Sequence, residues 1–387
     1  MGNIAKQTNQ KTKRPRLHLF SIRFGEMDVI FMLLVMVLVV IGLLALFSAS
    51  NSYAYFNEGD SYAFIKRQVV FAAVGLIIML MFSTINYKLL YSLAVPIMAV
   101  TILLLIIVLF FPRYNGARRW IDLGFTTFQP SEIAKFAIVV LFGRLCVQNA
   151  DRMKTFKYGI APFVGVLGVV VGLMLLQPHL SGIILICSIG ALMMLVGGVD
   201  LRWFVLAGIA AVLGVVVIIV TGAVGYAPAR IENWLHPEND PRGGGFQILQ
   251  SLYAIGSGGL MGVGVGASRQ KNLYLPEPQN DFIFAVVCEE VGFVGATLII
   301  ILFALLIWRG FVIAMRCKDR FGALLAVGFT SQVGLQTILN IMVVTNTVPN
   351  TGISLPFFSY GGTALLMLLA QMGLVLSISR QSTMEKG

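Results

Sequence analysis

The sequence predicts an all-α polytopic membrane protein: ten transmembrane helices with a large extracytoplasmic loop between spans seven and eight. Three observations lead there. The 387 residues are 58% hydrophobic, with a mean hydropathy of +0.87. Only 12% are charged, against roughly 25% in soluble domains. Apolar runs of about 20 residues, the length that crosses a bilayer, recur along the chain.

In order, the runs are 29–49, 68–84, 88–111, 131–148, 159–176, 180–199, 203–224, 282–308, 321–345 and 354–378. Residues 1–27 form a basic tail. Up to about Arg16 this tail has the polar composition of a disordered segment. The run that follows is longer than the apolar core of a signal peptide, so it is read as a retained first span. The membrane domain is placed at 28–380, with 222–281 as its extracytoplasmic loop and 381–387 as a second short tail. Two spans, 159–176 and 180–199, are separated only by Gln177-Pro178-His179.

The net charge of +11 is first a matter of topology. With ten spans, Lys and Arg outnumber those on the far side two to one on the side of the tails, which puts both termini in the cytoplasm. Nucleic acid is not an expected partner. The outer cations nonetheless cluster, beside Trp120, Trp234 and Tyr274, which suggests an anionic partner at the outer face. The four cysteines form no CxxC, and His18, His179 and His236 lack zinc-ligand spacing. No His- or Cys-held metal is expected.

Chemistry concentrates at a few junctions. Leu273-Tyr274-Leu275-Pro276-Glu277-Pro278-Gln279-Asn280-Asp281 ends the long polar insertion and places a carboxylate where span eight begins. Asp281 has two readings, a helix N-cap or a catalytic group. Glu289 and Glu290, about 12 Å deeper on the same helix, read as protonated or paired structural groups, since charge at that depth is costly. Gln129-Pro130-Ser131-Glu132 opens span four, and Glu132 with Lys135 forms an i,i+3 pair. That pair is either a structural lock or the floor of a polar cavity, with Lys135 an anion contact. Phe246–Gly256 has apolar residues at 248, 249, 252 and 255, the pattern of an amphipathic helix on the membrane surface. Pro349–Thr363 carries no charge but holds Pro356, Ser359, Gly361 and Gly362. It reads as a broken helix, whose hydroxyls and amides either meet a sugar or pack helices.

Phe128–Glu132 with Lys135, Phe246–Ser257, Gly262–Lys271, Leu275–Phe284 with Glu289-Glu290, and Thr351–Gly362 together resemble the SEDS family of cell-wall proteins, which includes FtsW, RodA and SpoVE. The basic tail and loop wording sit closer to FtsW or SpoVE. The resemblance implies a peptidoglycan glycosyltransferase that polymerises lipid II at the outer membrane face during septal synthesis, with Asp281 as the catalytic base. It implies as partners a class B penicillin-binding transpeptidase and other division or elongation proteins. A lipid II flippase and a non-catalytic division scaffold are the rival readings. Lipid II carries a pyrophosphate and sugars, for which the binding candidates are Lys66, Arg67, Arg118, Arg119, Glu132, Lys135, Arg230, Arg269, Lys271 and Ser359. No cofactor is assigned; a divalent cation, Mg or Mn, is left open. His179 stands where the family has Asp, and Asn346 and Asn350 replace small or apolar residues. No catalytic role is assigned to His179.

Overall fold

The computed structural model describes residues 27–113, 117–122, 124, 127–206, 208–209, 232–241 and 243–384. Among the described residues the longer helices are α1 Val29–Glu58, α2 Ala63–Thr84, α3 Leu89–Ile107, α4 Pro130–Gln148, α5 Ala161–Leu175, α6 Leu180–Gly197, α7 Phe246–Gly258, α8 Ile283–Arg316, α9 Arg320–Val344 and α10 Gly362–Met384. A two-residue antiparallel ribbon, Ile121–Asp122 with Thr127–Phe128, precedes α4.

Among the described residues, eight helices are long and apolar enough to cross a membrane. They match predicted spans one to three, five, six and eight to ten. The fourth predicted span is also a helix, α4, but Glu132, Lys135 and Arg144 put three charges within its 19 residues. Its apolar residues are buried almost without interruption, from Phe136 to Phe142. It can carry charge because protein, not lipid, surrounds it. The seventh predicted span, 203–224, is helical at 201–206 and 208–209 and otherwise lies outside the described residues, as do the basic tail to residue 26 and Arg230. The count of ten therefore stays an expectation.

α4, α9 and α10 form the middle of the bundle, where most of each helix is buried. α10 lies along α2, α4 packs on α3, α6 and α9, and α8 packs on α1, α7 and α9. α7 is the helix foreseen on the insertion. Its buried face is Ile248, Ser251, Ala254 and Gly258, and the Ser251 hydroxyl donates to the Val344 carbonyl at 2.8 Å. Part of its contact face is thus small and polar rather than greasy.

Two boundaries differ from the sequence reading. The last span starts at Gly362 rather than 354 and runs to Met384, past the boundary placed at 380. Residues 351–361 are non-helical, because Pro356 lacks a donor and Phe357 adopts φ +67°. The second difference lies inside α8, where Gly292 has φ 67° and ψ −171°, about 14 Å along the axis from Ile283.

A break at that depth frees backbone groups that lipid does not satisfy. The insertion satisfies them. Val263 and Gly264 N–H donate to the Glu289 and Glu290 carbonyls at 3.0 Å each. Phe293 and Val294 N–H donate to Gly259 and Leu260 carbonyls at 2.9 and 3.1 Å. The glycines are sterically required: a Cβ on Gly292 would lie 2.2 Å from Gly262 N, and one on Gly262 would lie 2.2 Å from the Glu290 carbonyl oxygen.

Side chains lock the same splice. Glu290 Oε1 accepts from Lys271 Nζ at 2.9 Å and from the Ser48 hydroxyl of α1 at 2.5 Å. Lys271 Nζ also reaches Ser48 Oγ and the Gly266 carbonyl, both at 2.8 Å. Glu289 accepts the Ser268 hydroxyl, Arg269 N–H at 2.9 Å and Gln270 N–H at 3.3 Å. Both carboxylates are structural, and the loop from 259 to 272 is bound at membrane depth. Gly292→Ala is expected to cost at least about 1–2 kcal/mol from the left-handed φ alone, with the backbone clash added. Thermal unfolding in detergent checks it: an unchanged midpoint would contradict the splice.

Candidate functional site

The site is built where two irregular segments, 275–282 and 351–361, meet the start of α4 at one end of the bundle. Asp281 is not the cap of α8. Phe282 occupies the N-cap position, and no side chain there bonds the helix. Asp281 lies in a turn, one residue before that cap, so its carboxylate does not serve the first-turn amides. The capping half of the sequence reading is thereby corrected.

What holds Asp281 is its backbone. Asn340 of α9 donates its Nδ2 to the Asp281 carbonyl and to the Ile353 carbonyl, each at 2.7 Å. The Ser359 hydroxyl donates to Asn280 O at 2.6 Å and accepts from Leu355 N–H at 2.8 Å. Tyr360 N–H donates to the Gln279 carbonyl at 2.9 Å. On the far side, Gln68 of α2 accepts from Gly361 N–H at 3.3 Å and donates to the Ser359 carbonyl at 3.4 Å. The non-helical 351–361 segment and the Asp281 turn are therefore one unit.

Beside this unit lies a polar cavity lined by Gln129, Ser131, Glu132, Lys135, His179 and Gln336, with Gly352 and Ser354 on its rim. A second, adjoining hollow is lined by Glu132, Gln332, Gln336, Ser354, Ser359 and Tyr360. Glu132 and Lys135 meet at 2.8 Å and are largely buried, so the pair is both a lock and a cavity wall. Gly352 is the hinge between cavity and carboxylate: a Cβ there would touch Asp281 Oδ2 at 3.7 Å. Its φ of +72° suits glycine.

Electrostatics separate Asp281 from His179. Protein packed around Asp281 pushes its carboxyl up to about 6; its own N–H opposes the rise, and the charge of Glu277 adds to it. The residue keeps part of its surface open, so a proton can exchange. His179 moves the other way, down to about 3, because burial and then the Arg119 and Lys135 charges disfavour imidazolium. It is a neutral ring at ordinary pH. Its Nε2 lies 3.5 Å from Gln129 Nε2 and Ser131 Oγ.

The binding candidates divide. Glu132, Lys135 and Ser359 line the hollows, although the Ser359 hydroxyl is occupied as a clasp. Arg119 comes near through His179 and bonds the Gln177 and Pro178 carbonyls. Arg67 pairs with Glu58 at 2.6 Å and bonds Tyr360. Lys66 pairs with exposed Asp60 at 2.7 Å, and Arg118 donates to the Leu109 carbonyl at 2.8 Å. Arg269 is exposed. Lys271 is corrected: its ammonium is bound inside the α8 splice and does not face the cavity. Arg230 lies outside the described residues. Among the described residues no three His, Cys, Asp or Glu gather as a metal site.

The sequence reading missed Gln332, Gln336 and Asn340. Their i, i+4, i+8 spacing on an apolar helix was the available signal, since it aligns three amides on one face. Gln336 donates to Ser354 Oγ and O, both at 3.0 Å.

This helical membrane fold, with an aspartate beside a polar hollow at one end, has known relatives. The family model for the FtsW, RodA and SpoVE cell cycle proteins matches residues 28–384, and the chain belongs to that family. It is 39% identical to stage V sporulation protein E of Bacillus subtilis, over 92% of this chain and 97% of that protein. It is 38% identical to the probable peptidoglycan glycosyltransferase FtsW of Trichlorobacter lovleyi, over 92% and 94%. Among solved structures, a chain of a peptidoglycan synthase complex that coordinates polymerization and crosslinking superposes with a TM-score of 0.77 at 29% identity, over 92% of this chain and 98% of that one. The rod shape determining protein RodA of Thermus thermophilus superposes at 0.68 and 28% identity, over 92% and 97%. The fold is thus that of a multi-pass membrane protein of this family.

Asn340→Leu is expected to orphan the Asp281 and Ile353 carbonyls at about 1–3 kcal/mol each. Hydrogen exchange of the 351–361 peptide should accelerate; unchanged protection would contradict the clasp.

Proposed function

We propose that this chain is a peptidoglycan glycosyltransferase that polymerises lipid II at the outer face of the cytoplasmic membrane, in septal wall synthesis. The observation that carries the reading is the Asp281 carboxylate, pushed up to about 6, on a turn whose backbone carbonyl Asn340 holds and next to Gly352 of the polar hollow. Family membership and the glycosyltransferase relatives supply the substrate class.

The chemistry follows from the parts. An acceptor hydroxyl attacks the anomeric carbon of the lipid-linked donor, its proton passes to Asp281, and the lipid pyrophosphate leaves. A base whose pKa lies near the working pH is the efficient choice. A carboxylate held at the ordinary value near 3.9 would be about a hundredfold weaker as a proton acceptor. A single base and one displacement invert the anomeric centre, as in inverting glycosidases. Cations near the hollow stabilise the leaving anion; Lys135 and Arg119, whose charges both reach His179, are assigned that part. A class B penicillin-binding transpeptidase is the proposed partner, and both termini are placed in the cytoplasm by the charge bias. The intramembrane Glu132–Lys135 pair favours lipid translocation as a second reading.

Purified protein with its partner, given lipid II in detergent with and without Mg or Mn, separates the readings. Glycan strands are expected from the wild type and at least a hundredfold fewer from Asp281→Asn. Folded Asp281→Asn that polymerises normally would remove the base. Translocation in vesicles without any polymer would favour the transporter. The rate is expected to fall tenfold per pH unit below about 6, because the raised carboxyl must ionise to accept a proton. An acid limb near pH 4 would contradict the environment described for Asp281.

A further inference from the structure

The turn that carries Asp281 holds a second carboxylate. Glu277 lies four residues upstream, between Pro276 and Pro278, and is half-buried. Its φ is +45°, a region that side-chain-bearing residues seldom enter. Strain of this kind persists where neighbours over-determine it, and it gathers at functional sites. Asn280 does so here: its N–H donates to the Glu277 carbonyl at 3.1 Å and its side-chain amide donates to Glu277 Oε2 at 2.9 Å. Because Ser359 grips the Asn280 carbonyl at 2.6 Å, the Glu277 carboxylate is fixed in register with Asp281.

Glu277 also differs from most acids around it. Glu58 pairs with Arg67, Asp60 with Lys66, Glu132 with Lys135 and Glu290 with Lys271. Glu289 is held by Ser268 and two loop amides. Among the described residues no Lys or Arg pairs with Glu277. The group that faces it from α1 is the Tyr53 phenol. Asp281 meets the neutral Asn340 of α9 and Gly352 of the 351–361 segment, while Arg67 of α2 is taken by Glu58 and Tyr360. Across the cavity stand the paired Glu132–Lys135 and the neutral His179. Among the described residues no cation therefore cancels the Glu277 charge beside Asp281.

We propose that Glu277 is a positioning residue for the glycosyl transfer, its negative charge, held by Asn280 in the same turn, keeping Asp281 able to take the acceptor proton. The inference rests on Asp281 as the base. A like charge nearby disfavours a second ionised carboxyl and so strengthens it as a proton acceptor. Direct contact of Glu277 with substrate is not required. Burial of Asp281 supplies the larger part of the effect, and Glu277 adds to it.

The test compares kcat for lipid II polymerisation across pH in the wild type, Glu277→Gln, Glu277→Asn, Glu277→Asp and Asp281→Asn, each with the partner. Gln keeps an acceptor for Asn280 but loses the charge, and Asn tolerates the positive φ best, so one neutral variant stays foldable. In both neutral variants the acid limb is expected to move down by about half a pH unit, with the plateau lowered about threefold and KM unchanged. Glu277→Asp, which keeps the charge, should retain the wild-type limb. An unmoved acid limb in a folded neutral variant, with Asp281→Asn inactive, overturns the role of Glu277 and leaves the base intact. Full activity in Asp281→Asn overturns both.

Discussion

One amide holds the site together. Asn340 places its Nδ2 between the carbonyls of Asp281 and Ile353, at 2.7 Å to each. Neither of the segments it joins is helical, so each arrives at the bundle with backbone groups that need partners. The same bond that satisfies those groups fixes where Asp281 stands relative to the hollow. Ser359 and Gln68 extend the clasp to Asn280 and to α2. The geometry of the proposed site and the satisfaction of buried backbone are thus one problem with one solution.

The splice in α8 answers the same problem on the other side of the loop. A helix broken at Gly292 would be intolerable in lipid. The segment from Gly259 to Gly264 restores four backbone hydrogen bonds, and Lys271 and Glu290 pin it from both chain directions. Two described stretches tie the insertion to the bundle. It is anchored at the α8 break by its 259–272 stretch and clasped to 351–361 by its last turn, which leaves the Asp281 turn rigid. Rigidity matters for a base, because proton transfer tolerates little error in position.

Much of the fold was legible from hydropathy: the apolar runs became helices, and the α7 pattern became a helix on the insertion. Hydropathy failed where backbone was irregular. It joined 354–361 to the last span because Ile353, Leu355, Phe357 and Phe358 are apolar, yet they are buried as a packed non-helical segment. It also could not separate a cap from a turn at Asp281, since both place an aspartate before an apolar run. The local pattern singled out Glu132 and Lys135, which line the polar hollow, and Asp281, which lies next to Gly352 of its lining. It did not identify Asn340, whose importance comes from two carbonyls, 13 and 59 residues away in sequence. Nor did it reveal that Lys271 is consumed by a buried pair, because charge alone does not say which way a lysine turns.

The central claim is that Asp281 takes the proton of the attacking hydroxyl. A structure of the complex with a lipid-linked disaccharide acceptor and a non-transferable donor tests it most directly. The account predicts the attacking hydroxyl within about 3 Å of an Asp281 carboxylate oxygen, with the pyrophosphate toward Lys135 and Arg119. A hydroxyl more than one intervening water away from Asp281, or met first by another carboxylate, would contradict it.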